Sequence, residues 1–135
     1  MIKYFIPFKS VGEFILGNNV NTIINNYDYD FSPLDESGLE SYIIRNIGIS
    51  LYVEDDFIVS IACNKECFYN DRNIINMNFK DFIYYTELIS NDEKDEVYMH
   101  NGEIQDVYEF DNIGLQIWVK NNIIVTAIAS VFLDD

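Results

Sequence analysis

The sequence predicts an α+β fold, a two-layer sandwich in which a mainly antiparallel sheet of six or seven strands carries two helices on one face. Three observations predict it. Two blocks of the chain recur in the same order, so one unit is used twice. Within each unit a stretch with apolar residues at helical spacing precedes stretches that alternate. The 135 residues are 49% hydrophobic and 16% aromatic, enough apolar surface for one core. The expected organisation is a single domain, residues 1–135, made of pseudo-repeats 1–66 and 67–135.

Ile2–Phe8 reads as an extra edge strand. The first recurring block follows it, Ile15-Leu-Gly-Asn-Asn-Val-Asn-Thr-Ile-Ile24, matched by Ile74-Ile-Asn-Met-Asn-Phe-Lys-Asp-Phe-Ile83. Asn19 and Asn78 are N-cap residues in this reading, because Asn accepts the free N–H groups at a helix start. Asp81, three residues past Asn78, adds a capping-box-like acid. Val20, Ile23, Ile24 and Tyr27 then make the apolar stripe of a helix of about 10 residues. Phe79, Phe82, Ile83 and Thr86 repeat the spacing, and Tyr84, Tyr85, Leu88 and Ile89 extend a longer second helix.

The second block is a hairpin. Asn46-Ile-Gly-Ile-Ser-Leu-Tyr-Val-Glu-Asp-Asp-Phe-Ile-Val-Ser60 aligns with Asn112-Ile-Gly-Leu-Gln-Ile-Trp-Val-Lys-Asn-Asn-Ile-Ile-Val-Thr126. Ile47, Ile49, Leu51 and Val53 alternate with small or polar residues, Glu54-Asp55-Asp56 turns, and Phe57–Ala62 returns. Its counterpart runs Ile113–Val119, turns at Lys120-Asn121-Asn122, and returns as Ile123–Val131. Alternation, β-branching and Asn/Asp turns are hairpin signals. The unbroken apolarity of Ile123–Ala129 marks a central strand. One further strand precedes each hairpin, Leu39–Ile44 and Glu103–Phe110, with Gly48 and Gly114 as bulges or tight connections. The unit is therefore a helix and three antiparallel strands.

Composition narrows function. Eight Lys and Arg against 23 Asp and Glu give a net charge of −15. That excludes a sequence-independent nucleic-acid binder, whose affinity comes from Lys and Arg on phosphate. The N-terminus lacks the long apolar region of a secretory signal, and no stretch reaches the ~20 apolar residues that span a bilayer. A cytoplasmic protein with no membrane partner is expected.

Chemistry-bearing motifs are sparse. Cys63 and Cys67, in Cys-Asn-Lys-Glu-Cys, read either as half of a metal or redox site or as a strand-end core thiol and a loop thiol, both reduced. Zinc needs two more ligands, and His100, the one imidazole, sits beside Asn101-Gly102 in a turn. The same scarcity of imidazole argues against nucleophilic catalysis. Nucleophile-elbow, dinucleotide and P-loop glycine patterns are absent, as is EF-hand spacing. No catalytic residue, metal or cofactor is expected.

The acids cluster, in Asp28/Asp30, in Asp35, Glu36 and Glu40, in Glu54, Asp55 and Asp56, and in Asp92, Glu93, Asp95 and Glu96. Glu103, Asp106, Glu109 and Asp111 follow on a strand. One reading is a solvated surface that keeps a β-rich protein soluble. The other is a docking surface for a basic partner, with Tyr27, Tyr29 and Tyr98 among the aromatic anchors. Phe31 and Tyr69 lie near the same acids.

Phe14-Ile-Leu-Gly-Asn-Asn-Val-Asn-Thr-Ile-Ile24 and the Asn-Ile-Gly-Ile-Ser-Leu-Tyr-Val hairpin, both repeated, resemble small bacterial immunity proteins. These are the cytoplasmic antidotes of polymorphic toxins, including those of contact-dependent growth inhibition. The tandem layout also looks like the duplicated fold of β-lactamase-inhibitor proteins, from which this chain departs in showing no secretory signal. The resemblance implies a non-catalytic protein that binds one toxin domain and blocks it; no family contact residue carries over. Nuclease toxins bind phosphate through cationic grooves, which an acidic antidote complements. The expected contacts are the carboxylates of Asp35–Glu40, Glu54–Asp56 and Asp92–Glu96. A polyanion mimic that inhibits a nucleic-acid-binding protein, and a small-ligand or enzymatic module on the same sheet, stay open as alternatives. So does the oligomeric state.

Overall fold

The computed structural model describes residues 1–91 and 94–131. It is a mixed fold dominated by antiparallel sheet. A small meander opens the chain, β1 (Phe5–Ile6), β2 (Ser10–Val11) and β3 (Phe14–Ile15). Two single 3₁₀ turns follow, Val20–Thr22 and Ile24–Asn26. Then come β4 (Asp30–Ser32), β5 (Glu40–Ile44), β6 (Ile49–Glu54) and β7 (Phe57–Cys63), with a third 3₁₀ turn at Arg45–Ile47. A short hairpin, β8 (Phe68–Tyr69) and β9 (Arg72–Asn73), leads into helix α1 (Phe79–Thr86). The chain closes with β10 (Asp95–Tyr98), β11 (Ile104–Phe110), β12 (Leu115–Lys120) and β13 (Ile123–Ser130). The main sheet has eight strands in the order β10-β11-β12-β13-β7-β6-β5-β4. β13 is central, as its apolar run predicts.

Four expectations are corrected. The stretch after Asn19 is not an α-helix. Asn19 does cap it, its side chain accepting from Asn21 N at 2.9 Å. However, Ile23 leaves helical geometry at φ −132°, so two separate 3₁₀ turns form. Three Asn in six positions favour local turns over a continued helix. The second stretch is an α-helix of 8 residues capped by Asn78, ending at Glu87 in the left-handed region, so Leu88 and Ile89 lie beyond it. The main sheet has eight strands among the described residues, not six or seven, because β4 and β10 add one at each edge. Lastly, Ile2–Phe8 does not join the main sheet. Pro7 and Phe8 (φ 61°) turn the chain into the β1–β3 meander.

One face of the sheet makes the core. Ile49, Leu51 and Val53 of β6 pair with Cys63, Ile61 and Ile58 of β7; Leu115, Ile117 and Val119 of β12 pair with Ala129, Ala127 and Ile124 of β13. All twelve are buried, in one cluster with Val20, Ile24, Phe14, Phe82 and Phe110. The other face carries Ser50, Tyr52, Ser60, Gln116, Trp118, Thr126 and Ile128, each half-buried.

The same backbone contacts appear in both halves. Gly17 N bonds Ile58 O, Val20 N bonds Asp56 O and Ile58 N bonds Asn18 O; in the second half Asn76 N bonds Ile124 O, Phe79 N bonds Asn122 O and Ile124 N bonds Met77 O. Asn64 N bonds Gly48 O, and Ser130 N bonds Gly114 O. Gly48 and Gly114 both turn the chain in the left-handed region, at φ 65° and 64°, without bulging. The bulges lie at Tyr52/Val53 and Trp118/Val119.

Candidate functional site

The acids gather where the β6–β7 hairpin meets the loop before β5. The hairpin turns on two residues, Asp55 and Asp56, at φ 50° and 70°. A two-residue turn of this kind needs left-handed backbone at both positions, which Asp and Asn tolerate better than other side chains. Leu34, Ser37, Gly38 and Glu40 lie against Glu54, Asp55 and Asp56 around a shallow depression. The loop is tied to itself. Asp35 accepts hydrogen bonds from Ser37 N (2.8 Å) and Ser37 Oγ, and Gly38 N donates to Asp35 O at 3.0 Å. The Ser37 donors hold the Asp35 carboxyl below the usual carboxylate range. Behind the loop, burial first and the Asp35 charge second push the Tyr52 phenol upward.

The structure thus brings together six of the expected residues: Glu40, Glu54, Asp55 and Asp56 line the depression, and Asp35 and Glu36 stand on its loop. Among the described residues none of the six joins an ion pair; the salt bridges are Lys3–Glu66, Arg45–Asp30, Lys94–Asp106 and Lys120–Glu103. The remaining acids are not brought there. Asp95 and Glu96 sit on β10, at the opposite edge of the sheet from β4. Asp92 and Glu93 lie outside the described residues.

The aromatic anchors divide as well. Tyr27 is half-buried and packs its ring, tilted by 40°, on the core ring of Phe14 at 5.3 Å, so it is a packing residue. Tyr69 likewise packs on Phe5. Tyr98 is 74% exposed on β10, away from the depression. Tyr29 is exposed just before β4, where it lines a separate depression with Asp28, Asp30 and Arg45, its ring 5.3 Å from Tyr42. Phe31, which meets Tyr42 edge-on at 5.0 Å, and Leu34 complete an exposed apolar group next to the acids. Leu34 had no signal in the sequence beyond lying between Pro33 and Asp35.

The second half answers the acidic tip with different chemistry. Its hairpin turns through Asn121 and Asn122 at φ 50° and 67°. Lys120, at the position of Glu54, bridges to Glu103, and that cation with Gln105 holds the Glu103 carboxyl below its usual range. Trp118 stands where the first half has Tyr52. Its Nε1 donates to Gln116 Oε1 at 2.6 Å, and Gln116 Nε2 donates to Glu109.

Cys63 and Cys67 are free and buried. A hydrogen bond shared with Cys63, reinforced by burial, holds the Cys67 thiol well above its usual value, the reverse of an activated thiolate. Cys63 ends β7 and Cys67 lies in the loop before β8, where it too is buried. His100 is exposed on the turn before β11. Among the described residues no group of three His, Cys, Asp or Glu is placed to hold a metal ion, and no helix is long and apolar enough to cross a membrane. The chain matches no protein-family model, no curated protein and no solved structure.

Proposed function

We propose that the chain is a non-catalytic inhibitor of the immunity type, which binds a cognate basic toxin domain, such as a nuclease, through its acidic tip and loop. We also read it as one unit used twice, a hairpin, a helical segment and four strands. The paired backbone contacts of the two halves support this. So does the β13–β7 register, in which Ala62 faces Ile128 while Ile61–Ala129 and Ala127–Cys63 exchange under the block alignment.

One observation carries the binding reading. The second half builds the same turn from Asn-Asn and neutralises its neighbouring acid, so the turn does not need the first half's charge. Clustered unpaired carboxylates repel one another and destabilise the compact state. A partner rich in Lys and Arg relieves that repulsion and is steered by it, at rates up to ~10⁸–10⁹ M⁻¹s⁻¹ at low salt. Acids concentrated at one tip and loop favour one cationic partner over mimicry of a long polyanion.

The test transplants one half's tip onto the other. Glu54→Lys, Asp55→Asn and Asp56→Asn give the first hairpin the second's turn. The basic C-terminal domain of a toxin encoded beside this chain is the partner to use. The variant is expected to fold with equal or higher stability, to lose growth rescue, and to associate more slowly with a weaker salt dependence. A variant that still rescues growth with an unaltered on-rate sinks the reading.

A further inference from the structure

The charged depression continues into a free sheet edge. β4 ends the strand order and pairs only with β5, through Asp30–Ile43, Phe31–Tyr42 and Ser32–Ser41. All three of its residues are exposed, and no backbone bond to them other than those to β5 is present among the described residues. A strand at an edge turns half of its N–H and C=O groups outward, which makes it a template for another strand. Phe31 (47% exposed) lies on it, and Tyr29 (41%) and Leu34 (66%) flank it.

From this edge we infer that β4 is a strand-addition site: it takes an extended segment of the partner in which Lys or Arg alternates with apolar residues. The inference rests on the proposed binding of a basic protein and says where and how that partner is held. Charge complementarity selects the occupant. Residues 27–40 contain Asp28, Asp30, Asp35, Glu36 and Glu40 and no Lys or Arg. The one nearby cation, Arg45, is engaged by Asp30 at 2.6 Å. A second copy of this chain, at net charge −15, would bring two such acidic edges together and is repelled. A basic strand meets the opposite field. Its backbone bonds to β4, its apolar side chains cover Phe31 and Leu34, and its cations reach toward Glu40 and Glu54, around the depression that Leu34 also lines.

The other edge of the sheet is defended. β10 carries Asp95 and Glu96, and the Lys94–Asp106 bridge at 3.1 Å places a cation beside it. Its one apolar side chain besides the exposed Tyr98 is Val97, half-buried against Gln105. Charge on the strand itself blunts β10, where two of four residues are acids against one of three on β4.

The test titrates the isotope-labelled full chain with three synthetic decapeptides: alternating Lys-Val, alternating Glu-Val, and decalysine. Lys-Val is expected to shift the amides of residues 29–34 and to slow hydrogen exchange at alternate β4 positions. Decalysine should shift only the amides around residues 54–56, and Glu-Val none. Phe31→Ser with Leu34→Ser, both on exposed side chains, should weaken Lys-Val binding about tenfold while leaving decalysine binding and the rest of the spectrum in place. Lys-Val shifts confined to residues 54–56, with β4 exchange unchanged, overturn strand addition and leave the charge reading standing. No response to either cationic peptide overturns both.

Discussion

The β6–β7 hairpin turns through Asp55 and Asp56, the β12–β13 hairpin through Asn121 and Asn122, and their backbone angles agree within a few degrees. What differs is the company each turn keeps. The first tip faces a loop with three more acids and no cation; the second places Lys120 against Glu103. Two solutions to one backbone problem separate what the fold requires from what it merely permits. Left-handed backbone is required, and either Asn or Asp supplies it. Six carboxylates at one end of the sheet with no ion pair among the described residues are not required, which is why they are read as binding chemistry.

The comparison extends to the helical segments, where the largest effect is expected. Phe82 is fully buried against Phe110 (5.8 Å, edge-on) and Phe79. Ile23, its counterpart in the aligned blocks, is half-buried between two 3₁₀ turns. Phe82→Ala should cost about 3–5 kcal/mol, through lost burial and the cavity left behind, and Ile23→Ala less than about 2 kcal/mol. Urea denaturation at constant slope measures both. Equal costs would mean that the single turns anchor the first half as firmly as α1 anchors the second.

Gly48 and Gly114 sharpen the contrast at the next level. Both sit in the left-handed region, where a Cβ costs about 1–2 kcal/mol in either half. Their surroundings differ. A Cβ on Gly114 would lie 2.6 Å from the Phe8 ring and 2.9 Å from the Ser130 carbonyl, main chain of the central strand. On Gly48 it would meet Asn64 Oδ1 and Lys65 Cγ at 2.5 Å, which can swing away, and Lys65 Cβ at 2.8 Å, which moves only with its own main chain. Gly114→Ala, which presses on a packed ring and a strand carbonyl together, is therefore expected to destabilise more than Gly48→Ala, read from the same denaturation curves. The reverse order would show that the Phe8 packing yields more easily than the Asn64–Lys65 turn.

Much of this fold is legible in the sequence because hairpins announce themselves locally. Alternation in 47–53 and 113–119, with a two-residue Asp or Asn turn, leaves little choice of structure, and β6, β7, β12 and β13 form within a residue or two of expectation. The edges were not legible. β4 has three residues, all exposed, ending at Pro33, so it shows no inward-outward rhythm. β10 begins inside an acidic run that reads as loop. The apolar spacing after Asn19 fits a helix but also fits two successive 3₁₀ turns, since both place Val20 and Ile24 inward. At the site, the clustering of acids was visible as composition. Their assembly was not, because the approach of residues 34–40 to 54–56 depends on the β5–β6 pairing of Glu40 with Val53.

The smallest expected effect concerns the aromatic positions that correspond across the sheet, Tyr52 and Trp118. Burial, and then the Asp35 charge, raises the Tyr52 pKa above the ordinary value of 10.0. The folded chain therefore holds the phenolic proton more tightly than the unfolded chain. The stability this confers is complete below the ordinary value and is lost as pH rises through the raised one. Trp118 has no such proton, so Tyr52→Trp should remove that share of the alkaline loss and leave neutral-pH behaviour alone. Asp35→Asn should move the Tyr52 titration only part of the way back, because burial is the larger cause and remains. Tyrosinate absorbance in the near ultraviolet, compared with the Tyr52→Phe variant to assign the signal, reads the shift. A Tyr52 titration indifferent to Asp35→Asn would place the loop away from Tyr52, leaving the acidic tip without its neighbour and weakening the contrast between the halves.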